Sequence, residues 1–304
     1  MSWERIMARL LLLHNPAAKH APGAALLHDI ELRLRWEGFA VHTAASRRPG
    51  DISALAAQGA QDAYNRVVVC GGDGSVREAA QGLAGSGVPL AIIPLGTANV
   101  LAREIGLPVK RTLECARQAG RGLAKSVTLG LVNGKSVFTF CASAGLDSMA
   151  VSHIDLKMKR ETGAWAYLYA GLLSSISGEL PDLEIHVPGR KAVSAWQVWL
   201  TNGRYYGGGL QLSPSGSLFV GTLKLIVLQR RFGGGIPSAL CSLLSGRGLE
   251  GGKGVISLDA HHVEITSNLP SPLQLDGDVL HHTPVTITAK PEAVQVIFPS
   301  GPGT

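Results

Sequence analysis

Three short apolar runs, each ending abruptly in glycine or polar residues, constrain this chain more than any other feature. Arg9–Leu13 runs into His14-Asn15-Pro16, Arg66–Cys70 into Gly71-Gly72-Asp73-Gly74-Ser75, and Val88–Ile93 into Pro94-Leu95-Gly96-Thr97. Runs this short, without polar alternation, suit strands covered on both faces of a parallel sheet. The segments between them carry helical spacing: Gly23–Trp36 places Leu27, Ile30 and Leu34 on one stripe, which marks an amphipathic helix. Phe39–Thr43 reads as a further strand, Asp51 as the N-cap of a helix through Asp62, and helices are expected near Val76–Leu83 and Ala98–Ile105. Strand and helix alternate, so the N-terminal part is expected to be a doubly wound α/β domain.

The pattern changes after a helix near Arg111–Gln118. Lys125–Leu131 and Ser136–Ser143 flank Asn133-Gly134, a strong hairpin signal. A helical stretch is expected over Asp147–Ile176. Strands then follow at Leu183–Val187, Val193–Thr201, Thr222–Leu228, Val255–His262 and Val285–Ala289, separated by Gly/Pro turns. That spacing predicts an antiparallel β-sandwich. The expected division is an α/β domain over residues 1–124 and an all-β domain over 125–290, with Val294–Phe298 in the tail 291–304 returning to the first.

Composition narrows the class. The 304 residues are 45% hydrophobic and only 16% charged, with 38 glycines, which excludes disorder and coiled coil. Net charge is +6 and aromatics are 5%; no basic block with aromatic interleaving argues for nucleic acid, while phosphate-bearing ligands and an anionic membrane surface both fit. Cys70, Cys115, Cys141 and Cys241 lie far apart with no CxxC pair, which argues against a disulfide framework or zinc site and favours a reduced cytoplasmic compartment. Met1–Leu13 has basic residues before four leucines but no small-residue cleavage site, so it is not read as a signal peptide. No run is long enough to span a bilayer.

In an open parallel sheet, ligands bind beyond the carboxyl ends of the strands. Asn15, Ser46, Gly71–Ser75 and Gly96–Asn99 all follow predicted strands, so four polar or glycine-rich loops converge on one edge. The Gly71–Ser75 loop lets backbone N–H groups approach a phosphate at a helix N-terminus. Asp73 within it would repel phosphate unless Mg²⁺ or a proton transfer gives it a task; the plain alternative is a helix N-cap. Two look-alikes are set aside. Gly130–Ser136 has one residue too few for a phosphate-binding Walker loop and is read as a hairpin, and Gly246–Gly251 follows a helix rather than opening one. His261-His262 and His281-His282 are adjacent pairs, which point to opposite faces of a strand and cannot chelate together.

Asn15-Pro16-Ala17-Ala18, Gly71-Gly72-Asp73-Gly74-Ser75, Pro94-Leu95-Gly96-Thr97-Ala98-Asn99 and Leu275-Asp276-Gly277-Asp278 resemble, in order and spacing, the motifs of the soluble diacylglycerol kinase catalytic family. That family includes bacterial YegS-like lipid kinases and the sphingosine and ceramide kinases. The resemblance spans nearly the whole chain. It implies a Rossmann-like nucleotide-binding domain followed by an antiparallel β-sandwich, an active site in the cleft between them, and ATP- and Mg²⁺-dependent transfer of the γ-phosphate to a diacylglycerol-like or sphingoid hydroxyl. By position it implies nucleotide contacts from Asn15, Pro16, Ala17, Ala18, Lys19, Ser46, Gly71, Gly72, Asp73, Gly74, Ser75, Val76, Arg77, Glu78, Gly96, Thr97 and Asn99.

Relatives place the proposed base either in the second-domain acidic motif, here Asp278 beside Asp276, or in the glycine loop, here Asp73; both assignments stay open. Asp147 aligns with a head-group-recognising region of sphingosine kinases, with an N-cap role as the alternative. Three departures stand out. Val100 follows Asn99 where many diacylglycerol kinases have Asp, Thr128 replaces an Asp of several relatives, and Ser213–Leu225 lacks the aspartates of a structural metal site, so no protein-held metal is expected there. Ala164–Leu173, preceded by Lys157, Lys159 and Arg160, is either a core helix or a lipid-facing one. The resulting expectation is a cytoplasmic enzyme peripheral to the inner membrane face, with a lipid partner, no nucleic acid, and a homodimer left open. The rivals are a kinase of a soluble substrate such as NAD, and a nucleotide- or lipid-binding module without turnover.

Overall fold

The structure, a computed structural model, describes residues 7–153, 182–229 and 235–301. The helix expected at 164–173 and the basic residues before it lie outside the described residues. The chain forms two compact units, one running to Val127 and resuming at Ala293, the other from Thr128 to Glu292. It crosses between them within two strands, β5 (Leu123–Val132) and β17 (Val285–Phe298).

The first unit holds β1 (Ala8–His14), α1 (Ala24–Trp36), β2 (Phe39–Ala45), α2 (Asp51–Gln61), β3 (Arg66–Gly71), α3 (Asp73–Leu83), β4 (Leu90–Pro94), α4 (Val100–Glu104) and α5 (Thr112–Arg121). Its strands are parallel in the order β2-β1-β3-β4, with Val296 of β17 beside Leu90 of β4. Leu10, Leu12, Leu13, Val67, Val68, Val69, Ala91 and Ile93 are fully buried whichever way they point, because α1 packs with α5 while α2 packs with α3, and right-handed crossovers put these pairs on opposite faces. The parallel strands therefore all end on one edge, as the loop pattern requires.

The second unit is antiparallel throughout. β5 turns through Asn133 and Gly134, both at positive φ, into β6 (Ser136–Phe138). β7 (Cys141–Gly145) leads into α6 (Leu146–His153); β8 (Leu183–His186), β9 (Val193–Thr201), the small hairpin β10 (Tyr205–Tyr206) and β11 (Leu210–Gln211), and β12 (Leu223–Gln229) follow. Then come α7 (Gly235–Leu244), β13 (Val255–Ala260), β14 (His262–Ser267), β15 (Pro272–Leu275) and β16 (Asp278–His282). Strand order runs β16-β15-β7-β9-β8-β14-β17, and β12 joins β9 to β13. One apolar core gathers residues from both ends of this unit, including Phe138, Leu200, Leu225, Val263, Leu273 and Ile287.

Several boundaries differ from those read in the sequence. Strands expected to break between Ala289 and Val294 form one strand, β17, which passes through Pro291 and Glu292, the latter at φ 48°. Pro291 contributes no N–H, yet the strand continues, because the two halves find different partners: Val285–Thr288 pairs with β14 and Val296 with β4. Asp51 is not an N-cap: Gly50 takes that position with φ 86°. The Asp51 carboxylate instead reaches back to the Arg47 and Arg48 N–H groups, at 2.9 and 3.2 Å. Helix α3 starts at Asp73, earlier than expected, and α4 at Val100, later.

Candidate active site

The four strand-end loops of the first unit are tied to one another by backbone and side-chain bonds. Ser46 N–H donates to the His14 carbonyl at 2.9 Å, joining the ends of β2 and β1. Leu95 N–H donates to the Gly71 carbonyl at 2.9 Å, joining β4 to β3. Glu78 on α3 accepts from Gly50 N–H at 3.2 Å, fixing the loop that enters α2. Asn15 closes its own turn, its Oδ1 accepting from Ala17 N–H at 2.9 Å. Asn15, Ser46, Gly71–Ser75, Glu78 and Gly96–Asn99 thus share one edge. Lys19 and Thr97 are exposed beside it, whereas Val76 and Arg77 are buried beneath the loop. His14 carries a buried Nδ1 without a hydrogen-bond partner among the described residues, and partial burial lowers its pKa.

Two glycines make this geometry sterically possible. A Cβ on Gly96 would lie 2.6 Å from the Gly72 Cα and 2.8 Å from Asn99 Oδ1, closer than atoms pack. The two loops therefore cross backbone to backbone, an approach that a side chain at Gly96 would prevent. Asn99 locks the second loop: it adopts φ 48°, accepts from Gly96 N–H at 2.9 Å and donates to the Gly96 carbonyl at 2.6 Å.

Asp73 is the central acid. It is the first residue of α3, with Gly72 as the N-cap, so the N-cap alternative read from the sequence does not hold. Its Oδ1 accepts from the Val100 N–H at 2.7 Å, capping α4 from the neighbouring loop. Val100, the residue that departs from the Asn-Asp pattern, contributes its backbone here and buries its side chain. The arrangement sets one carboxylate and the N-terminus of α3 beside glycine backbone, a combination that can hold a phosphate chain with its cation.

The second unit carries the other acidic motif. Leu275 and Asp278 face each other across a hairpin whose two central residues, Asp276 and Gly277, have φ 51° and 93°, the conformation of a type I′ turn. Asp276 is buried. Its carboxylate accepts from Thr139 N–H (2.7 Å), Thr139 Oγ1 (2.9 Å), Phe140 N–H (3.0 Å) and Cys141 N–H (3.1 Å), so it anchors the turn to the start of β7. Asp278, half-buried at the first position of β16, is the member of the pair set beyond this anchor.

Asp147 lies inside the first turn of α6 rather than capping it. It is 1% exposed, and four side-chain donors hold it: Gln197 Nε2 on Oδ1, and Ser143 Oγ, Trp199 Nε1 and Tyr206 Oη on Oδ2, all within 2.9 Å, with Ser148 Oγ 3.0 Å from Oδ1 and closer, at 2.6 Å, to the Ser143 carbonyl. Its own N–H donates to Gln197 Oε1 at 2.9 Å. A carboxylate has about four lone-pair sites, so Asp147 has none left for a substrate amine. Ser143 also accepts from Gln274 Nε2 at 2.7 Å, and Gln274 Oε1 accepts from Gly277 N–H at 2.7 Å. A buried polar chain therefore runs from Tyr206 through Asp147, Ser143 and Gln274 to the turn that carries Asp278.

Reading the sequence alone misses Ser143, Gln197, Trp199, Tyr206 and Gln274. A signal was present: Gln197 and Gln274 interrupt otherwise apolar strands, and a buried amide has to find partners. Thr128, in place of the relatives' Asp, is buried with its Oγ1 accepting from Gly221 N–H at 3.2 Å. In the Ser213–Leu225 region Ser213 and Ser215 donate to Glu250. The described residues contain no group of three or more His, Cys, Asp or Glu able to hold a metal ion.

The diacylglycerol kinase catalytic domain matches residues 9–132, and the YegS C-terminal NAD kinase beta sandwich-like domain matches residues 141–298. The second match alone covers more than half of the chain. The chain belongs to the diacylglycerol kinase/YegS-like family. A Pseudomonas fluorescens protein named "Probable lipid kinase YegS-like" is 30% identical over 95% of both chains. A Yersinia enterocolitica protein of the same name is 31% identical, covering 88% of this chain and 90% of its own. A Bacillus anthracis str. Sterne crystal structure, described as a candidate diacylglycerol kinase, superposes with a TM-score of 0.80 at 25% identity, covering 96% of this chain and 95% of that one. The family is one of kinases, and in this member the acid of the glycine loop is Asp73 and those of the second-domain motif are Asp276 and Asp278.

Proposed function

We propose that this YegS-like protein transfers the γ-phosphate of ATP to the hydroxyl of a lipid. The observation that carries the reading is Asp73, held by Val100 N–H in the loop where Gly72 and Gly96 cross. A side chain at Gly96 would push the two loops apart, the Cβ lying 2.6 Å from the Gly72 Cα, and so disturb the backbone that would receive a phosphate chain. In the reaction the lipid oxygen attacks the γ-phosphorus, the bond to the β-phosphate oxygen breaks, and ADP leaves. Such a transfer needs alignment and charge neutralisation more than covalent chemistry. Asn15, Ser46, Gly72, Gly74, Ser75 and Thr97 would hold the nucleotide, and Asp73 with the ATP oxygens would hold Mg²⁺, which when bound neutralises phosphate charge.

Asp278 would take the hydroxyl proton. It sits on a turn fixed by Asp276 and Gln274, which supports a positioned base rather than a mobile one. Asp73 keeps the alternative claim to that proton. A peripheral position at the inner face of the membrane, where the lipid is, accords with the net charge of +6; no helix among the described residues is long and apolar enough to cross a membrane.

Radiolabelled ATP supplied with diacylglycerol, monoacylglycerol, sphingosine, ceramide or phosphatidylglycerol in mixed micelles tests the proposal, with NAD as the soluble comparison. Label in a lipid supports it. Label in NAD alone, or ATP binding with no acceptor labelled, overturns it.

A further inference from the structure

The second unit has an opening into its core, lined by residues other than those of the acidic turn. A cavity of about 280 Å³ lies among β8, β9, β12 and β13, and of its nine lining residues seven are aliphatic and two basic. Ile185 and Val187, Leu225 and Val227, and Ile256 and Leu258 form its walls. Arg190 and Lys191, exposed on the turn between β8 and β9, stand at the lining's polar end. No carboxylate and no uncharged polar side chain lines it.

Strand alternation explains this separation of chemistry. On β8, Leu183 and Ile185 face the core, which turns Glu184 and His186 to the outside, where they lie 3.5 Å apart. On β12, Leu225 and Val227 face the cavity; Lys224, on the other side of the strand, pairs with Asp259 at 2.7 Å. Neither Arg190 nor Lys191 has a carboxylate partner among the described residues. The cavity also lies on the face of β9 opposite the Asp147 network: Ala195, Val198 and Leu200 belong to the apolar core, whereas Gln197 and Trp199 reach Asp147. It is therefore separate from the acidic turn and its supports.

We propose that this cavity binds the tail of a single-chain anionic amphiphile, with its carboxylate or phosphate head on Arg190 and Lys191. An aliphatic wall favours an acyl chain by burial, and two uncompensated cations favour an anionic head over a neutral one. The proposal does not rest on the kinase reading, since it is read by binding rather than by turnover.

Calorimetric titration of the full chain with laurate and with dodecanol, both below micelle formation, tests it. One saturable laurate site is expected, with dodecanol binding at least tenfold more weakly. The double variant Arg190→Glu/Lys191→Glu, confined to exposed positions, should weaken laurate at least tenfold and leave dodecanol unchanged. Val193→Trp, which fills the half-buried rim, should abolish both; circular dichroism confirms its fold, and the charge-reversal variant carries the test if it fails to fold. Absence of a saturable laurate site, or unchanged laurate binding in the charge-reversal variant, overturns the proposal. Repeating the titration with a saturating phosphorylatable lipid identifies the source: displaced laurate makes the occupant the acceptor lipid, and undisturbed laurate makes it a separate effector.

Discussion

Asp73 has two roles that substitution can separate. Asp73→Asn keeps an oxygen for the Val100 N–H, now 2.7 Å away, and removes the negative charge. The bond changes from charge-assisted to neutral, a loss of about 1 kcal/mol or less. Asp73→Ala removes the acceptor and strands the N–H of a buried residue at the start of α4. That costs about 2 kcal/mol, which for a unit of this size lowers the melting temperature by roughly 4–8 °C. Turnover should respond differently from stability. Both variants lose the charge that would hold Mg²⁺ or accept a proton, and both should lose about 10²-fold or more in kcat. ADP release in the presence of the accepted lipid, measured beside differential scanning fluorimetry, separates the two effects. Asp73→Asn with a near-normal rate would refute the catalytic assignment, and Asp73→Ala melting like the parent would refute the structural one.

Other expected outcomes follow from the same geometry. Asp276→Asn breaks a buried carboxylate with four donors and should destabilise the second unit by about 3 kcal/mol in urea unfolding, whereas Asp278→Asn, at a half-buried position, should cost less stability and lower kcat; equal stability losses would contradict the anchor. Gly96→Ala forces a Cβ against the Gly72 backbone at 2.6 Å, so ATP affinity should fall while the second unit's melting is unchanged, and normal nucleotide binding by calorimetry would count against the crossing loops as its site. Hydrogen bonds from Arg117, chiefly, hold the Glu114 carboxyl down to about 2 from 4.5. A depressed acid stabilises the fold above its unfolded value and loses that contribution as pH falls through the folded one. The stability difference between Glu114→Gln and the parent should therefore be full above pH 4.5 and vanish towards pH 2, and a pH-independent difference in denaturant midpoints would refute the assignment.

Much of this protein is legible locally. Leu10–Leu13, Val67–Cys70 and Val88–Ile93 carry no polar alternation because α1, α5, α2 and α3 cover both faces of their sheet, and glycine or proline punctuates each run. Asn133-Gly134 marks its hairpin for the same reason, since both residues take positive φ. The carboxylates are another matter. Asp51, Asp73 and Asp147 each read as helix caps when only neighbouring donors are considered, and none is the N-cap of its own helix. Asp73 takes its donor from a residue 27 positions away, Asp147 from Gln197, Trp199 and Tyr206, and Asp276 from Thr139, 137 positions away. The sequence by itself determined the parallel strands, the loops at their ends and the family. Only the tertiary structure decided which acids are buried anchors, because a carboxylate binds whichever donors the fold brings to it, and strand pairing brings those from far along the chain.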